Sequence, residues 1–476
     1  MPRQCAKQQR LCYRNNAAMT DATAPNAPNA PNAPQAPSPP GPPSPLAGGL
    51  PTTQAGPLAG LKVLELGQLI AGPFAGKTLA DFGAEVIKIE PPATATSEGG
   101  DPLRKWRLLH NGTSVWWQVQ SRNKQSVVLD LRTEDGRADA RHLAAECDVL
   151  IENFKPGTLE KWGLGYDTLA AANPALIMLR ISGYGQTGPD RDLPGFAVVA
   201  EAMGGLRHLM GEPGRVPVRA GISLGDTLAA LHGVIGVLLA LQARGKSVSP
   251  LAPKGRGQVV DVALYEAVFN CMESLLPEYS AFGVVRQPAG SALPGIAPSN
   301  AYRCADGQVV IGGNGDSIFK RLMAAIGRDD LGQDPGLADN AQRAARVDAL
   351  DAAITAWTVQ RPVADVVATL QAVSVPVGRI HTVADIAHDP HYQARGMVQH
   401  ITTADGLHLA VPGIVPKLSA TPGSLRSLAP TLGQHTAQVL DALRQRLFDG
   451  VAAGAAAGAA AGAAAKDDGR GGSITP

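Results

Sequence analysis

The segment RAGISLGDTLAALHG, residues 219–233, carries one carboxylate, Asp226, opening a run of Leu, Ala, Val and Ile that reaches Leu241. The run has the length and periodicity of a buried helix, and a buried charge is costly unless something pairs with it. Two roles fit an acid at that place. Asp226 can be an N-cap that accepts a hydrogen bond from a free N–H of the first turn. It can equally be a nucleophile or base held at the positive end of the helix dipole. Just upstream, PGRVPVRAG (213–221) offers Arg215 and Arg219 either as anion partners or as a solvated loop. Spacing alone leaves these alternatives open.

Other spacings suggest chemistry and then fail its physical requirements. GYGQTG (183–188) matches G-x-G-x-x-G, but PDRDLPGF follows it. Two prolines in that stretch cannot open the helix whose N-terminus would receive a pyrophosphate, so an ordinary loop is the better reading. The GKT at 76–78 falls inside an expected helix and lacks the upstream glycine of a phosphate loop. His388 and His391 stand three apart, yet Pro390 lies between them and no further ligands accompany them, so a surface turn is expected and no metal site. No G-x-S-x-G elbow or Ser-His-Asp order appears, which leaves a hydrolase triad without support.

The chain has 476 residues, 45% of them hydrophobic, and a formal net charge of +1. That length suits two domains or one elaborated one. The charge balance and the few aromatics offer no case for nucleic-acid or membrane binding. Five widely spaced cysteines without C-x-x-C imply neither a disulfide framework nor a zinc set, so a cytoplasmic location is expected. No apolar run reaches the length of a membrane span without a charge, Gly or Pro interrupting it. The basic first residues lack the apolar centre of a secretory signal, and Met19 is an alternative start to Met1.

Stepping along the chain, two low-complexity segments flank an alternating pattern. A Pro/Ala-rich tail (1–56) and an Ala/Gly-rich tail (447–476) have little to bury and are expected to be disordered. Between them LKVLELG (61–67) reads as a buried strand, AGPFAGKTLADFG as a helix with Pro73 near its start and Gly83 past its end, and AEVIKIE (84–90) as the next strand. The unit recurs: SVVLDL (126–131), a helix from Thr133, CDVLIENF (147–154), a helix near 165–172, then ALIMLRIS (175–182). This βαβ repetition predicts an α/β fold with a Rossmann-like parallel sheet over 57–255. NAYRCADGQVVIGG (300–313) reads as a hairpin around Asp306-Gly307, so a linker helix and a smaller α+β domain are expected over 256–400. Residues 401–446 are expected to return to the large domain.

Several long stretches in this order resemble the family III CoA-transferases, the group of formyl-CoA transferase, carnitine CoA-transferase and α-methylacyl-CoA racemase. They are LAGLKVLELGQLIAGPFAGKTLADFGAEVIKIEPP (58–92), NKQSVVLDLRTEDG (123–136), DVLIENFKPGTLEKWGL (148–164), ISGYGQTGP (181–189), GD (225–226), GQVVDVALYEAV (257–268) and LGQHTAQVL (432–440). The resemblance implies a CoA-transferase that moves CoA from an acyl-CoA donor to a carboxylic acid acceptor, small or dicarboxylic. Asp226 would be the nucleophile that becomes an aspartyl-CoA thioester. CoA would be a substrate and no other cofactor is expected.

The resemblance also implies a homodimer of interlocked chains and a set of CoA contacts. These carry over onto Ile70 and Ala71 after the first strand, then Leu129, Arg132, Asn153, Phe154, Lys155 and Lys161, whose cationic members suit phosphates. The chain departs from the family at PGFA (194–197): racemases carry His-Asp where Phe196 and Ala197 stand, and transferases commonly carry an acid at Ala197. Phe196 cannot move a proton, which disfavours racemisation by that route. Glu201, four residues on, is a possible auxiliary carboxylate in place of Ala197. An acyl-CoA racemase or isomerase, and a CoA-binding protein with little turnover, remain the alternatives.

Overall fold

The protein is described from a computed structural model covering residues 56–449; both expected tails therefore lie outside the described residues, apart from the junctions at 56 and 447–449. Its centre is a six-stranded sheet of β1 (Lys62–Glu65), β2 (Glu85–Glu90), β3 (Lys124–Val128), β4 (Val149–Glu152), β5 (Ile177–Ser182) and β6 (Val259–Ala263). The order is β3-β2-β1-β4-β5-β6 and every pairing is parallel. That order reverses direction between β1 and β4, which opens a crevice at the carboxyl ends of those strands.

Strand alternation explains why both faces are covered. Val63, Val149, Ile151, Ile177, Leu179 and Ile181 pack on one face with α1 (Ala71–Asp81), α4 (Leu224–Lys246) and α5 (Leu264–Phe269). Leu64, Leu150 and Met178, the alternate residues, pack on the other with α2 (Glu134–Glu146) and with Val439, Leu440 and Leu443. A parallel sheet clad on both faces favours near-continuous apolar runs, which these strands have except where paired charges such as Lys88 and Glu65 are buried. Thr133 starts α2 as expected, its hydroxyl accepting from Gly136 N at 3.1 Å.

Three expectations need correction. The boundary at 255 cuts through the sheet, because Val259–Ala263 pairs along β5 as its sixth strand rather than opening a linker helix. VVDVA runs into α5 without a turn residue, so no local signal separates strand from helix. Second, GLHLAVP does not rejoin the large sheet. Val398–Thr402 and His408–Pro412 pair only with each other, and Arg122 fixes this hairpin by donating to Pro412 O at 2.7 Å. Residues 430–443 do return, with His435 N donating to Ser126 O at 3.0 Å along the free edge of β3. Third, the surface turn expected at His388 and His391 is the junction of two short helices, His388 ending one and His391 lying in the next.

The smaller sheet is antiparallel, Ser299–Arg303 with Gln308–Gly312 and then Val377–Arg379. Its hairpin turns at residues 304–307, where Asp306 also accepts the first N–H of the helix Val363–Ala372, from Val363 at 2.7 Å.

Candidate functional site

Helix α4 runs against the strand direction. Gly233 sits against Leu179 and Ile181 of β5, while Arg244 near the helix end donates to Ala175 O at 3.1 Å and pairs with Asp148 at 3.0 Å, both just before strands begin. The start of α4 is thereby carried to the carboxyl edge of the sheet, the edge that holds the crevice. Close packing explains the small residues: a side-chain carbon on Gly233 would stand 2.9 Å from Leu179. By length and composition α4 could also cross a membrane. Here it is the crossover helix between β5 and β6.

Asp226 is the third residue of α4, and Ser223 occupies the cap position without a side-chain cap bond. The N-cap role for Asp226 is therefore excluded. The helix begins two residues earlier than Asp226, because Leu224 and Gly225 already pack inside the fold. Burial pushes the Asp226 carboxyl up to about 6, the neighbouring Glu201 charge adds to that rise, and Arg219 opposes it. The dipole at the helix start thus does not keep this acid in the ordinary carboxylate range.

Glu201 lies on α3 (Ala197–Met203), which touches the start of α4. A side-chain carbon on Gly225 would be 3.2 Å from Ala197 O and 3.5 Å from Ala197 Cβ, so glycine beside alanine permits the approach. Phe196 caps α3 and is exposed, whereas Ala197 and Glu201 are buried. One Glu201 oxygen, Oε2, accepts from Arg207 at 2.9 Å and has Arg219 Nε at 3.8 Å. The other, Oε1, is buried without a hydrogen-bond partner. Glu201 is close enough to Asp226 for its charge to raise that carboxyl's pKa. Arg207 was missed in the sequence, since nothing local relates it to Asp226.

The crevice at the sheet edge is a cavity of about 360 Å³ lined by Gln68, Pro91, Leu129, Arg132, Phe154 and Trp162 among others. Three of the expected CoA contacts, Leu129, Arg132 and Phe154, meet there. Phe154 and Trp162 stack edge to face at 5.4 Å, forming an apolar wall. Arg132 is exposed and turned onto its neighbour Asp130, at 2.8 Å. Lys155 and Lys161 are exposed beside Phe154 and Trp162 but are not part of the cavity wall.

Asn153 has a different duty from the contact expected of it. Its amide accepts from Gln68 N and donates to Gln68 O, both at 2.8 Å, clamping the loop after β1 to the loop after β4. Ile70 and Ala71 are buried at the start of α1, and the Ile70 carbonyl is taken by Gln120 at 2.9 Å. Ile70 and Ala71 therefore shape the loop behind the cavity and do not line it. Gln68 and Trp162 were not singled out in the sequence, although Trp162 adjoins Lys161 and Gln68 stands two residues before Ile70.

A doubly wound α/β fold with a nucleotide-sized crevice and a perturbed acid at the same edge defines a class of nucleotide-cofactor enzymes. Comparison with known proteins narrows this class. The family model described as CoA-transferase family III matches residues 58–436. The succinyl-CoA–D-citramalate CoA-transferase of Chloroflexus aurantiacus is 46% identical over 389 residues, 81% of this chain and 94% of that protein. The beta subunit of the succinyl-CoA–L-malate CoA-transferase of the same organism is 43% identical over 394 residues, 82% of this chain and 94% of that protein. A CaiB/BaiF family crystal structure from Brucella suis superposes with a TM-score of 0.70 at 37% identity, covering 82% of this chain and all of that one (100%). The chain belongs to the family III CoA-transferases and is an enzyme that transfers CoA.

Proposed function

We propose that the enzyme moves CoA between small dicarboxylic acids through a thioester on Asp226. The observation that carries this reading is the placement of Asp226, half-buried within the fields of Glu201 and Arg219 at the sheet edge that also holds the crevice. Both curated relatives are named for succinyl-CoA and a second dicarboxylate, which supports the substrate class.

The chemistry divides into balanced acyl transfers. An Asp226 carboxylate oxygen attacks the acyl-CoA carbonyl; the C–S bond breaks, leaving a mixed anhydride and CoA thiolate. The thiolate then attacks the Asp226 carbonyl carbon and expels the donor acid as its carboxylate. An acceptor carboxylate repeats the sequence in reverse, ending as acyl-CoA with Asp226 free. Each step passes through an oxyanion that needs aimed N–H donors. The first-turn N–H groups of α4, including that of Gly225, lack partners within the helix and supply that function.

Leu129, Phe154 and Trp162 would hold the CoA end, with Arg132, Lys155 and Lys161 near the phosphates. The working form is a homodimer, supported by Leu231, Ile235, Leu238 and Leu239 of α4, which a single chain leaves exposed. The test is intact-protein mass spectrometry after incubation with a panel of acyl-CoAs. Wild type should gain a CoA-sized adduct that hydroxylamine removes and Asp226→Ala never forms. Binding of acyl-CoA without any adduct would overturn the nucleophile assignment.

A further inference from the structure

The group around Asp226 contains four charges, and their arrangement leaves one of them uncommitted. Asp226 and Glu201 are the anions; Arg207 and Arg219 are the cations. Arg207 is committed to Glu201 through one Nη at 2.9 Å, although its buried Nε has no partner, whereas Arg219 stands off at 3.8 Å, beyond hydrogen-bond reach. Among the described residues no hydrogen bond engages the Arg219 guanidinium, and 43% of its side chain is exposed. Its backbone is nevertheless held in place. Val218 N donates to Met210 O at 2.9 Å, and Gly290 N anchors the same loop at Gly211 O, also at 2.9 Å.

The reaction itself changes this balance. With Asp226 ionised the four charges sum to zero. When Asp226 becomes a thioester it loses its charge, and the group is left with an excess of one cation. The acceptor acid enters at that moment. A monocarboxylate spends its single anionic group as the nucleophile, and on forming the anhydride that charge passes to the departing CoA thiolate. A dicarboxylate keeps a second anion throughout, and that anion can neutralise the excess cation. Guanidinium is well suited to the task, because its planar fork takes a carboxylate with two parallel hydrogen bonds.

We infer that Arg219 is the specificity-determining cation that takes the distal carboxylate of the dicarboxylic acid while the near carboxylate reacts at Asp226. The inference rests on the aspartyl-thioester reading given above. It assigns to one residue a preference that the carboxylate chemistry alone does not supply.

The test compares wild type with Arg219→Met and Arg219→Lys, using malate or citramalate as dicarboxylate acceptor and butyrate as monocarboxylate acceptor. Rates are taken on the alkaline plateau of each protein's own pH profile, because loss of Arg219 removes a charge that holds the Asp226 pKa down. Adduct formation at Asp226 from butyryl-CoA is followed by mass spectrometry in all three proteins. Arg219→Met should lose about 100-fold in kcat/KM for the dicarboxylate, chiefly through KM, and no more than about threefold for butyrate. Arg219→Lys should recover part of the loss. Adduct formation from butyryl-CoA should persist in both variants, which also reports that they fold. Equal losses for the two acceptors, no loss for the dicarboxylate, or a loss confined to kcat would overturn the assignment. Absence of the adduct in wild type from succinyl-CoA as well as butyryl-CoA would instead overturn the thioester reading, and the inference with it.

Discussion

Lys88 Nζ lies 2.8 Å from Asp101 Oδ2 in the interior of the protein, with both side chains buried. The same ammonium reaches Glu65 at 3.0 Å and donates to Gly67 O at 2.7 Å. Asp101 in turn accepts from Leu69 N at 3.0 Å and from Leu103 N at 2.9 Å. Burial works to raise the Asp101 carboxyl, but Lys88 and these two amides hold it below the ordinary carboxylate range. Leu69 is in the left-handed region at φ 64°, a conformation unfavourable for leucine, and the network holds it there. The network thereby sets the β1–α1 loop that carries Gln68 to the wall of the crevice at the sheet edge.

Asp101→Ala would leave Lys88 short of one anion and two buried amides without acceptors. Breaking a buried, hydrogen-bonded ion pair from one side costs about 3–5 kcal/mol. Denaturant unfolding should show a loss of that size, and surviving enzyme should have a raised KM for acyl-CoA. A stability change below about 1 kcal/mol would mean the network is incidental.

In the proposed mechanism Asp226 must be ionised to attack. Its raised pKa predicts that kcat/KM rises with pH through about 6 on the acid side. Glu201→Gln removes a like charge, so the limb should move to lower pH; Ala197→Asp adds a carboxylate beside Gly225 and should move it higher. A pH–rate series on the three proteins measures both shifts. Identical limbs would contradict the coupling between these carboxylates.

The same raised pKa has a consequence for stability, with a definite sign. The folded protein holds the Asp226 proton more tightly than the unfolded chain. That stabilisation is fully present below the ordinary value of 3.8 and is lost as pH rises through about 6. Asp226→Asn should therefore unfold at higher temperature than wild type near pH 8, by on the order of 2 kcal/mol, with much of the gain gone near pH 4. Thermal melts at the two pH values check this. An equal gain at both would point to packing instead of charge.

Asn153 clamps Gln68 through two hydrogen bonds of 2.8 Å. Asn153→Ala should raise KM for acyl-CoA several-fold and cost about 1–3 kcal/mol in stability, since two backbone groups lose their partner. Titration of CoA binding separates this from a direct contact. If Asn153 acts only through the loop, a shortened CoA lacking the groups near it should lose affinity to the same degree.

The succession of strands and helices in the first half of the chain was legible because each carries its own period. Alternating apolar residues marked β1, β2, β4 and β5 within about two residues, and Thr133 marked the start of α2. Two strands were less clear for opposite reasons. β3 begins earlier than its apolar run, because Lys124 is buried against Glu65 at 2.7 Å and a lysine gives no strand signal. β6 passes straight into a helix, and only its pairing with β5 identifies it. The GD at 225–226 marked the acid, but Ser223 and Asp226 are both good caps and only the packed structure says where the helix starts.

By itself the sequence determined the order of the βαβ units, the acid at the mouth of an apolar helix, and the family likeness. These follow from short-range periodicity and contiguous motifs. Only the tertiary structure decided the company Asp226 keeps. Glu201, Arg207 and Arg219 come from two separate helices and a loop, and charge interacts through space across a low-dielectric interior, not along the chain. The same applies to the crevice, whose wall is assembled from the ends of strands that are neighbours only in the folded sheet.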